Sequence, residues 1–290
     1  DRCCFLEKER NYVSMKIRAK MIGMDLDGTL LTTQKTLLPY TRKILRRAID
    51  QGMIVLPATG RPFSGLPEEI VHFPGMRYAV TANGGRILDI GQKKVLYEKL
   101  LPADTAFEIL KIFEQYDTLR EIYYDGIGFA QEDALHNISH YIESPPMAEY
   151  IVTTRKPVSD VHAKFVETNR PVDKIQALFA TQEDKYAALE ELQKIPDLEI
   201  TGALEKNIEI NPKGVHKGKA MIMLGEFLGI SREEMMAFGD GSNDTRMLRE
   251  VGIGVAMENG TDEVKAAADY ITMSNDEEGV ARFIEKYVLD

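Results

Sequence analysis

The feature that most restricts the fold is a short apolar run that stops abruptly at acid and glycine. Met21-Ile22-Gly23-Met24 runs directly into Asp25-Leu26-Asp27-Gly28. Such a run, ending in a polar loop, reads as a strand buried on both faces, the kind found in parallel sheets covered by helices. The pattern recurs. Met53 to Ala58 ends in Thr59-Gly60-Arg61-Pro62, and Met235 to Phe238 ends in Gly239-Asp240-Gly241-Ser242-Asn243-Asp244. Helical segments lie between: Pro39 to Gln51, with Pro39 suited to a first position and Gly52 to the stop, and Lys217 to Leu228, stopped by Gly229. A further helix is expected over about Phe63 to Val71, then a strand at Tyr78 to Thr81 and a turn at Asn83-Gly84-Gly85. Strands Ile253 to Ala256 and Tyr270 to Thr272 follow, with a helix from Thr261 between them. A last helix pairs Asn275 with Glu278 at capping-box spacing.

Residues 88–211 read differently. Helical stretches near 102–115, 133–142 and 183–194 mix with alternating strands such as Lys174 to Ala180, and Pro145-Pro146 marks a loop. The expected architecture is α/β: a Rossmann-like parallel sheet core with helices on both faces, formed by 1–87 and 212–290, plus an inserted α+β domain.

Acidic residues (46) outnumber basic ones (36), for a net charge of -10. That balance argues against nonspecific nucleic-acid binding, which needs clustered Lys and Arg. Cys3 and Cys4 are the only cysteines. No disulfide framework is available, which suits a reducing cytoplasm. No stretch is long and apolar enough to span a bilayer, so no membrane partner is expected, and residues 1–18 lack the apolar centre of a signal peptide. Residues 1–14, ahead of Met15, are expected to be a dispensable extension. His72, His136, His140, His162 and His216 show no metal-ligand spacing, and Met221, Met223, Met235 and Met236 read as core filler. Tyr123-Tyr124-Asp125 reads either as a pocket lining or as a strand and turn.

In open parallel sheets, sites form at the carboxyl ends of strands. Three such ends here carry polar, glycine-bearing loops. If the strands are neighbours, Asp25, Asp27, Asp240 and Asp244 meet in one crevice. Like carboxylates about 4 Å apart repel by roughly 1 kcal/mol in water and about 4 at an effective dielectric of 20. A divalent cation removes that penalty, and oxygen ligands without His or Cys favour Mg2+ over zinc. The rest fits a phosphate. Gly28 lets loop N–H groups turn inward, Thr59 offers a hydroxyl, Gly60 an unobstructed N–H, and Lys217 an ammonium at a helix start. Each feature alone reads more readily as a turn or a cap. Four in fixed order at strand ends do not.

Asp25-Leu26-Asp27-Gly28-Thr29-Leu30, Thr59 within Ala58-Thr59-Gly60-Arg61-Pro62, Lys217-Gly218, and Gly239 to Asp244 with Met247-Leu248 resemble, in order and spacing, the four motifs of the haloacid dehalogenase superfamily. The chain looks like its Cof-like sugar-phosphatase subfamily, in which a large α+β cap lies between the second and third motifs. The resemblance implies a magnesium-dependent phosphatase of small phosphorylated metabolites, sugar phosphates above all. It casts Asp25 as nucleophile and metal ligand, and Asp27 as general acid and then base, with its backbone carbonyl on the metal. It casts Asp240 as the third metal ligand and Thr59 and Lys217 as the phosphate clamp. Leu26, Gly28, Gly60 and Asn243 complete the phosphate site, and Asn243 and Asp244 hold Lys217 or metal-bound water. A phosphotransferase or sugar-phosphate mutase would share the aspartyl-phosphate step. Dehalogenation is disfavoured because that branch lacks the carboxylate supplied by Asp27. A transport ATPase is disfavoured by the missing membrane span, and a non-enzymatic phosphate binder by the complete motif set.

Overall fold

The computed structural model describes residues 16–202 and 204–290. Cys3, Cys4 and the expected extension lie outside them. The central sheet has five parallel strands in the order β14-β13-β12-β1-β2. These are β1 (Met21–Met24), β2 (Ile54–Pro57), β12 (Met235–Gly239), β13 (Ile253–Met257) and β14 (Tyr270–Thr272). The pleat sends alternate side chains to opposite faces. Ile22, Met24, Met236 and Phe238 pack on one side with Ile44, Leu45 and Ala48 of the helix Pro39–Asp50 and Phe283 and Ile284 of Gly279–Tyr287. Met21, Met235 and Ala237 pack on the other with Ala220, Met221 and Leu224 of Lys217–Leu228, joined by Met247, Leu248 and Val264. Gly23 lies so close to this layer that a Cβ there would meet the Met221 sulfur at 2.3 Å. Of the methionines read as filler, Met221, Met235 and Met236 sit in the core, and Met223 packs against it partly buried. The chain leaves β1 toward β2 on one side and later returns to β12 on the other. The crevice between β1 and β12 is thus the switch point at which such sheets bind ligands.

The strand expected at Tyr78–Thr81 exists as β3, but it is not a full member of the parallel sheet. It lies beside β2 but is joined to that edge by a single bridge, Ala58–Val80, just past the end of β2, and it pairs antiparallel with β4 (Arg86–Asp89), which pairs with β5 (Lys94–Glu98). The reversal comes from Ala82, Asn83 and Gly84, all at positive φ. This hairpin carries the chain past residue 87 before it crosses over, where Leu101 bridges Val172. The helix expected over Phe63–Val71 is split into a 3₁₀ turn, Phe63–Gly65, and one helical turn, Glu68–Val71. Pro67 lies between and disfavours helical geometry at Leu66 before it. At the other end the capping box is Ser274 with Glu277, not Asn275 with Glu278. It caps a 3₁₀ turn, and Glu278 at φ 60 separates that turn from the last helix.

The remaining strands form a six-stranded sheet, β10-β11-β9-β6-β7-β8, antiparallel except between β7 and β8. They are β6 (Thr118–Tyr124), β7 (Ile127–Gln131), β8 (Lys156–Val158), β9 (Ile175–Phe179), β10 (Leu198–Thr201) and β11 (Asn207–Pro212). One face is apolar: Ile122, Ile175, Ala177, Ile208 and Ile210 pack under the helices Ala103–Phe113, Val161–Thr168 and Gln182–Leu192. The other carries Glu121, Tyr123, Gln176, Asn207, Glu209 and Asn211, all buried, with Lys174 just before β9. Tyr123-Tyr124-Asp125 is the end of β6 and a turn with Asp125 at φ 53.

Candidate active site

Asp25 follows β1 directly, and its N–H donates to the Phe238 carbonyl of β12 at 3.0 Å. Strand pairing thus delivers the carboxylate to the switch point. Lys217, the first residue of its helix, is fully buried. Its Nζ donates to Asp25 Oδ1 at 2.8 Å and to Asp244 Oδ1 at 2.7 Å. Burial alone would lower its pKa, but Asp244 and Asp25 outweigh that and raise it. His216 ahead of it caps the helix, its Nδ1 accepting from the Lys219 N–H at 3.2 Å, and burial holds its pKa down to about 4. Asp244 Oδ2 accepts the N–H groups of Asp240 (3.0 Å) and Gly241 (3.1 Å), which folds the loop after β12 back on itself. Asp240 Oδ1 accepts from the Thr29 hydroxyl at 2.6 Å. Gly28, at φ 79, passes Asp240 so closely that a Cβ would meet its Oδ2 at 2.3 Å, so a side chain there is excluded.

Asp25, Asp240 and Asp244 bring ligand atoms within 4.8 Å of one another, the only such acidic group among the described residues. Three carboxylates face one ammonium. Burial raises the pKa of Asp25 against the pull of Lys217, with Asp244 and Asp27 adding to the rise. Burial, Asp25 and Asp244 do the same to Asp240. An all-oxygen donor set with excess negative charge fits a divalent cation such as magnesium.

Asp27 is not a member of that group and is paired with cations instead. Arg61 grips it bidentately, Nε to Oδ2 and Nη2 to Oδ1, both at 2.7 Å, and Lys35 Nζ lies 2.6 Å from Oδ1. Burial would raise its pKa, but Arg61 and then Lys35 hold it well below the usual carboxylate range. The buried Arg61 guanidinium also donates to the Gly65 carbonyl at 2.9 Å and stacks 3.9 Å from the Tyr150 ring centroid. Thr59 is buried, and its Oγ1 accepts the Arg61 N–H at 3.1 Å.

Of the residues singled out in the sequence, Asp25, Asp27, Gly28, Thr59, Gly60, Asp240 and Asn243 line one cavity of about 250 Å³. Lys217 and Asp244 lie beneath it, Lys217 bonded both to Asp25 and to Asp244. Leu26 is buried in the core, and its carbonyl accepts from Leu31 N–H at 2.9 Å. Asn243 turns to Asn83 Oδ1 (3.2 Å), not to Lys217. The same cavity is lined from the six-stranded unit by Tyr150, Ile151, Arg155, Lys174, Gln176 and Glu209. None of these was marked by sequence reasoning, and neither were Arg61 and Lys35. Arg61 stood inside a quoted motif. Lys174 and Glu209 carried one available sign, ionisable residues of opposite charge at or beside alternating strands.

The family model for haloacid dehalogenase-like hydrolases matches residues 22–284. A 5-amino-6-(5-phospho-D-ribitylamino)uracil phosphatase of Bacillus subtilis, YcsE, is 33% identical over 273 residues, covering 93% of this chain and 96% of the relative. The pyridoxal phosphate phosphatase YbhA of Escherichia coli is 30% identical, with 93% and 99% covered. The solved structure of a subclass IIB sugar phosphatase of the superfamily superposes with a TM-score of 0.78 at 25% identity, over 92% of this chain and 98% of that one. With a model match across most of the chain and relatives at 30% identity or more aligned nearly end to end, the chain belongs to the haloacid dehalogenase-like hydrolase family.

Proposed function

We propose that the protein is a magnesium-dependent phosphatase of small phosphorylated metabolites, sugar phosphates among them, working through an aspartyl-phosphate on Asp25. The observation that carries this reading is the cluster at the β1/β12 switch point: the buried Asp25 and Asp244 on the buried Lys217 ammonium with the half-buried Asp240 beside them, and Asp27 and Thr59 on the wall of the same cavity. A nucleophilic Asp25 oxygen attacks phosphorus, and the bond to the leaving alcohol breaks as Asp27 protonates it. Water then attacks the aspartyl-phosphate, giving its proton to Asp27 and releasing phosphate and the Asp25 carboxylate. Arg61 and Lys35 keep Asp27 ionised in the arrangement described, as the second step requires. For the first, the approaching phosphate has to draw these cations away so that Asp27 can carry a proton.

Asp25, Asp240 and the backbone carbonyl of Asp27 are the proposed magnesium ligands, and the bound ion supplies charge neutralisation between nucleophile and phosphate. The backbone of Leu26 and Gly28, the Gly60 N–H, Lys217 and Asn243 are the proposed phosphate contacts. Thr59 joins them, because its oxygen already accepts the Arg61 N–H and its proton remains for a phosphoryl oxygen. Asp244 supports Lys217. The inserted segment, expected over residues 88–211 but beginning only after the β3–β5 hairpin, is the proposed cap, since its Tyr150, Arg155 and Gln176 face the same cavity as Asp25. A cavity of about 250 Å³ suits a small metabolite. The net charge of -10 argues against nucleic acid. No described helix is long and apolar enough to cross a membrane. A cytoplasmic setting goes with the scarcity of cysteine.

Phosphate release from a panel of phosphomonoesters tests the reading. Turnover should require magnesium and disappear on chelation. Asp25→Asn should lose at least about a thousandfold in rate, some 4 kcal/mol of transition-state stabilisation, while still binding inorganic phosphate. An Asp25→Asn protein working at the parent rate overturns it.

A further inference from the structure

Lys174 is a buried cation on the wall of the cavity, and its first appearance is that of a second anion ligand. Counting its hydrogens decides otherwise. An ammonium has three donors. Lys174 Nζ gives them to the Gly60 carbonyl at 2.9 Å, Gln176 Oε1 at 3.1 Å and Glu209 Oε2 at 2.7 Å. The Tyr123 ring lies 4.8 Å from the same nitrogen. No donor is left for a substrate. We propose that Lys174 and Glu209 are positioning residues, which set the phosphate-binding loops of the core from the six-stranded sheet. The proposal rests on the phosphatase reading above.

Two core loops are held this way. Lys174 pins the Gly60 carbonyl, which turns that dipole toward a cation and away from an incoming phosphate. It thereby fixes the Gly60–Arg61 peptide plane, whose Arg61 N–H donates to the Thr59 hydroxyl oxygen at 3.1 Å, and with it the orientation of the neighbouring Gly60 N–H. Glu209 Oε2 also accepts Asn83 Nδ2 at 2.7 Å, Asn83 Oδ1 in turn accepts from Asn243 Nδ2 at 3.2 Å, and Glu209 Oε1 accepts from Asn207 at 3.2 Å. Asn211, two residues along β11 on the same face, donates to the Ala82 carbonyl at 3.1 Å. Ala82 and Asn83 sit at φ 51 and 56, a left-handed conformation that Asn tolerates but that is strained for Ala82. Lys174 and Glu209 come from the six-stranded unit. The grip on phosphate therefore depends on that unit being docked, though none of its atoms needs to touch the phosphoryl group.

The test is a pair of variants assayed with p-nitrophenyl phosphate, and with inorganic phosphate as competing product. Lys174→Met alone strands the Glu209 charge and should cost stability as well as activity. Lys174→Met with Glu209→Gln removes both charges. It should unfold within a few degrees of the parent, yet raise the KM for p-nitrophenyl phosphate and the inhibition constant for phosphate about tenfold each, with a smaller change in kcat. Recovered stability without recovered phosphate grip is the expected signature. A double variant with the parent KM and the parent inhibition constant overturns the positioning role while leaving the phosphatase reading intact. A parent protein that releases no phosphate overturns both.

Discussion

Two buried charge clusters face each other across the cavity, and they are built on opposite rules. At the end of β1 and β12, three carboxylates share one ammonium, and burial with mutual repulsion pushes the pKa of Asp25 and Asp240 upward. On the polar face of the six-stranded sheet every buried ion has its counter-ion. Lys174 meets Glu209 at 2.7 Å, and Arg155 Nε meets Glu121 Oε2 at 2.7 Å. Against burial, Lys174 and Asn83 hold the pKa of Glu209 below its ordinary value. Unbalanced charge is stored where the proposed cation and phosphate would bind. Balanced charge is placed where the shape of the wall must not change. The same residue types therefore imply opposite responses to substitution on the two sides.

The largest expected effect separates the two sides most sharply. Asp240→Asn should cost at least about a thousandfold in rate, about 4 kcal/mol, because a proposed metal ligand loses its charge. The metal-free protein should nevertheless become more stable, by about 1 kcal/mol, since one member of a repelling set is neutralised and the amide oxygen can still accept from Thr29. Steady-state kinetics and urea unfolding in chelator measure the two halves. A metal-free variant less stable than its parent would mean that the cluster is not repulsive.

On the other side the sign reverses. Arg155 gives Nε to Glu121, and Nη1 to the Tyr150 hydroxyl (3.2 Å) and Thr154 Oγ1 (2.8 Å), and it is buried. Glu121 Oε1 already lacks a partner, and Tyr123 bonds the other oxygen. Arg155→Met leaves that carboxylate buried with only a phenol, and should cost about 3 kcal/mol of stability. Adding Glu121→Gln should restore most of the loss. Urea midpoints of the single and double variants check this, and an Arg155→Met protein as stable as its parent would deny that the pair is a structural unit.

This asymmetry also explains what could be read in advance. Asp25, Asp27, Thr59, Lys217 and Asp240 announce themselves because each sits where an apolar strand ends or a helix begins, and local pattern fixes both. Local pattern also places β1, β2, β12 and the helix Lys217–Leu228. It does not show that Asn83 and Gly84 reverse the chain into a hairpin, because whether β3 pairs with a neighbour in the sheet or with the next segment is settled by tertiary packing. Lys174 and Glu209 are hidden for the same reason. On an isolated strand, charges at alternate positions read as a solvated face. Only the antiparallel register, which sets Glu209 opposite Gln176, and the docking of that face on the core make them buried partners. Arg61 lay in plain view, but its role depends on Asp27, 34 residues away, and on Tyr150 from the other unit.

The smallest expected effect lies at the rim of the seam, where charge is neither stored nor sealed. Arg246 Nη1 meets Glu199 Oε1 at 2.8 Å across the two units, with about half of the Arg246 side chain exposed. Solvent screens such a pair, and holding two long side chains in register costs entropy. Glu199 also keeps a second partner, since its Oε2 accepts the Gly214 N–H at 3.0 Å. Arg246→Ala should therefore lower stability by less than about 1 kcal/mol at low salt and by nothing measurable in 1 M salt, where the screening length is about 3 Å. Its KM for p-nitrophenyl phosphate should stay at the parent value, unlike that of the Lys174→Met/Glu209→Gln protein. A loss above about 2 kcal/mol that persists in high salt would mean that the units are held together at their rim. The docking that sets the Thr59–Gly60 loop would then be governed by exposed charge rather than by the buried pair behind it.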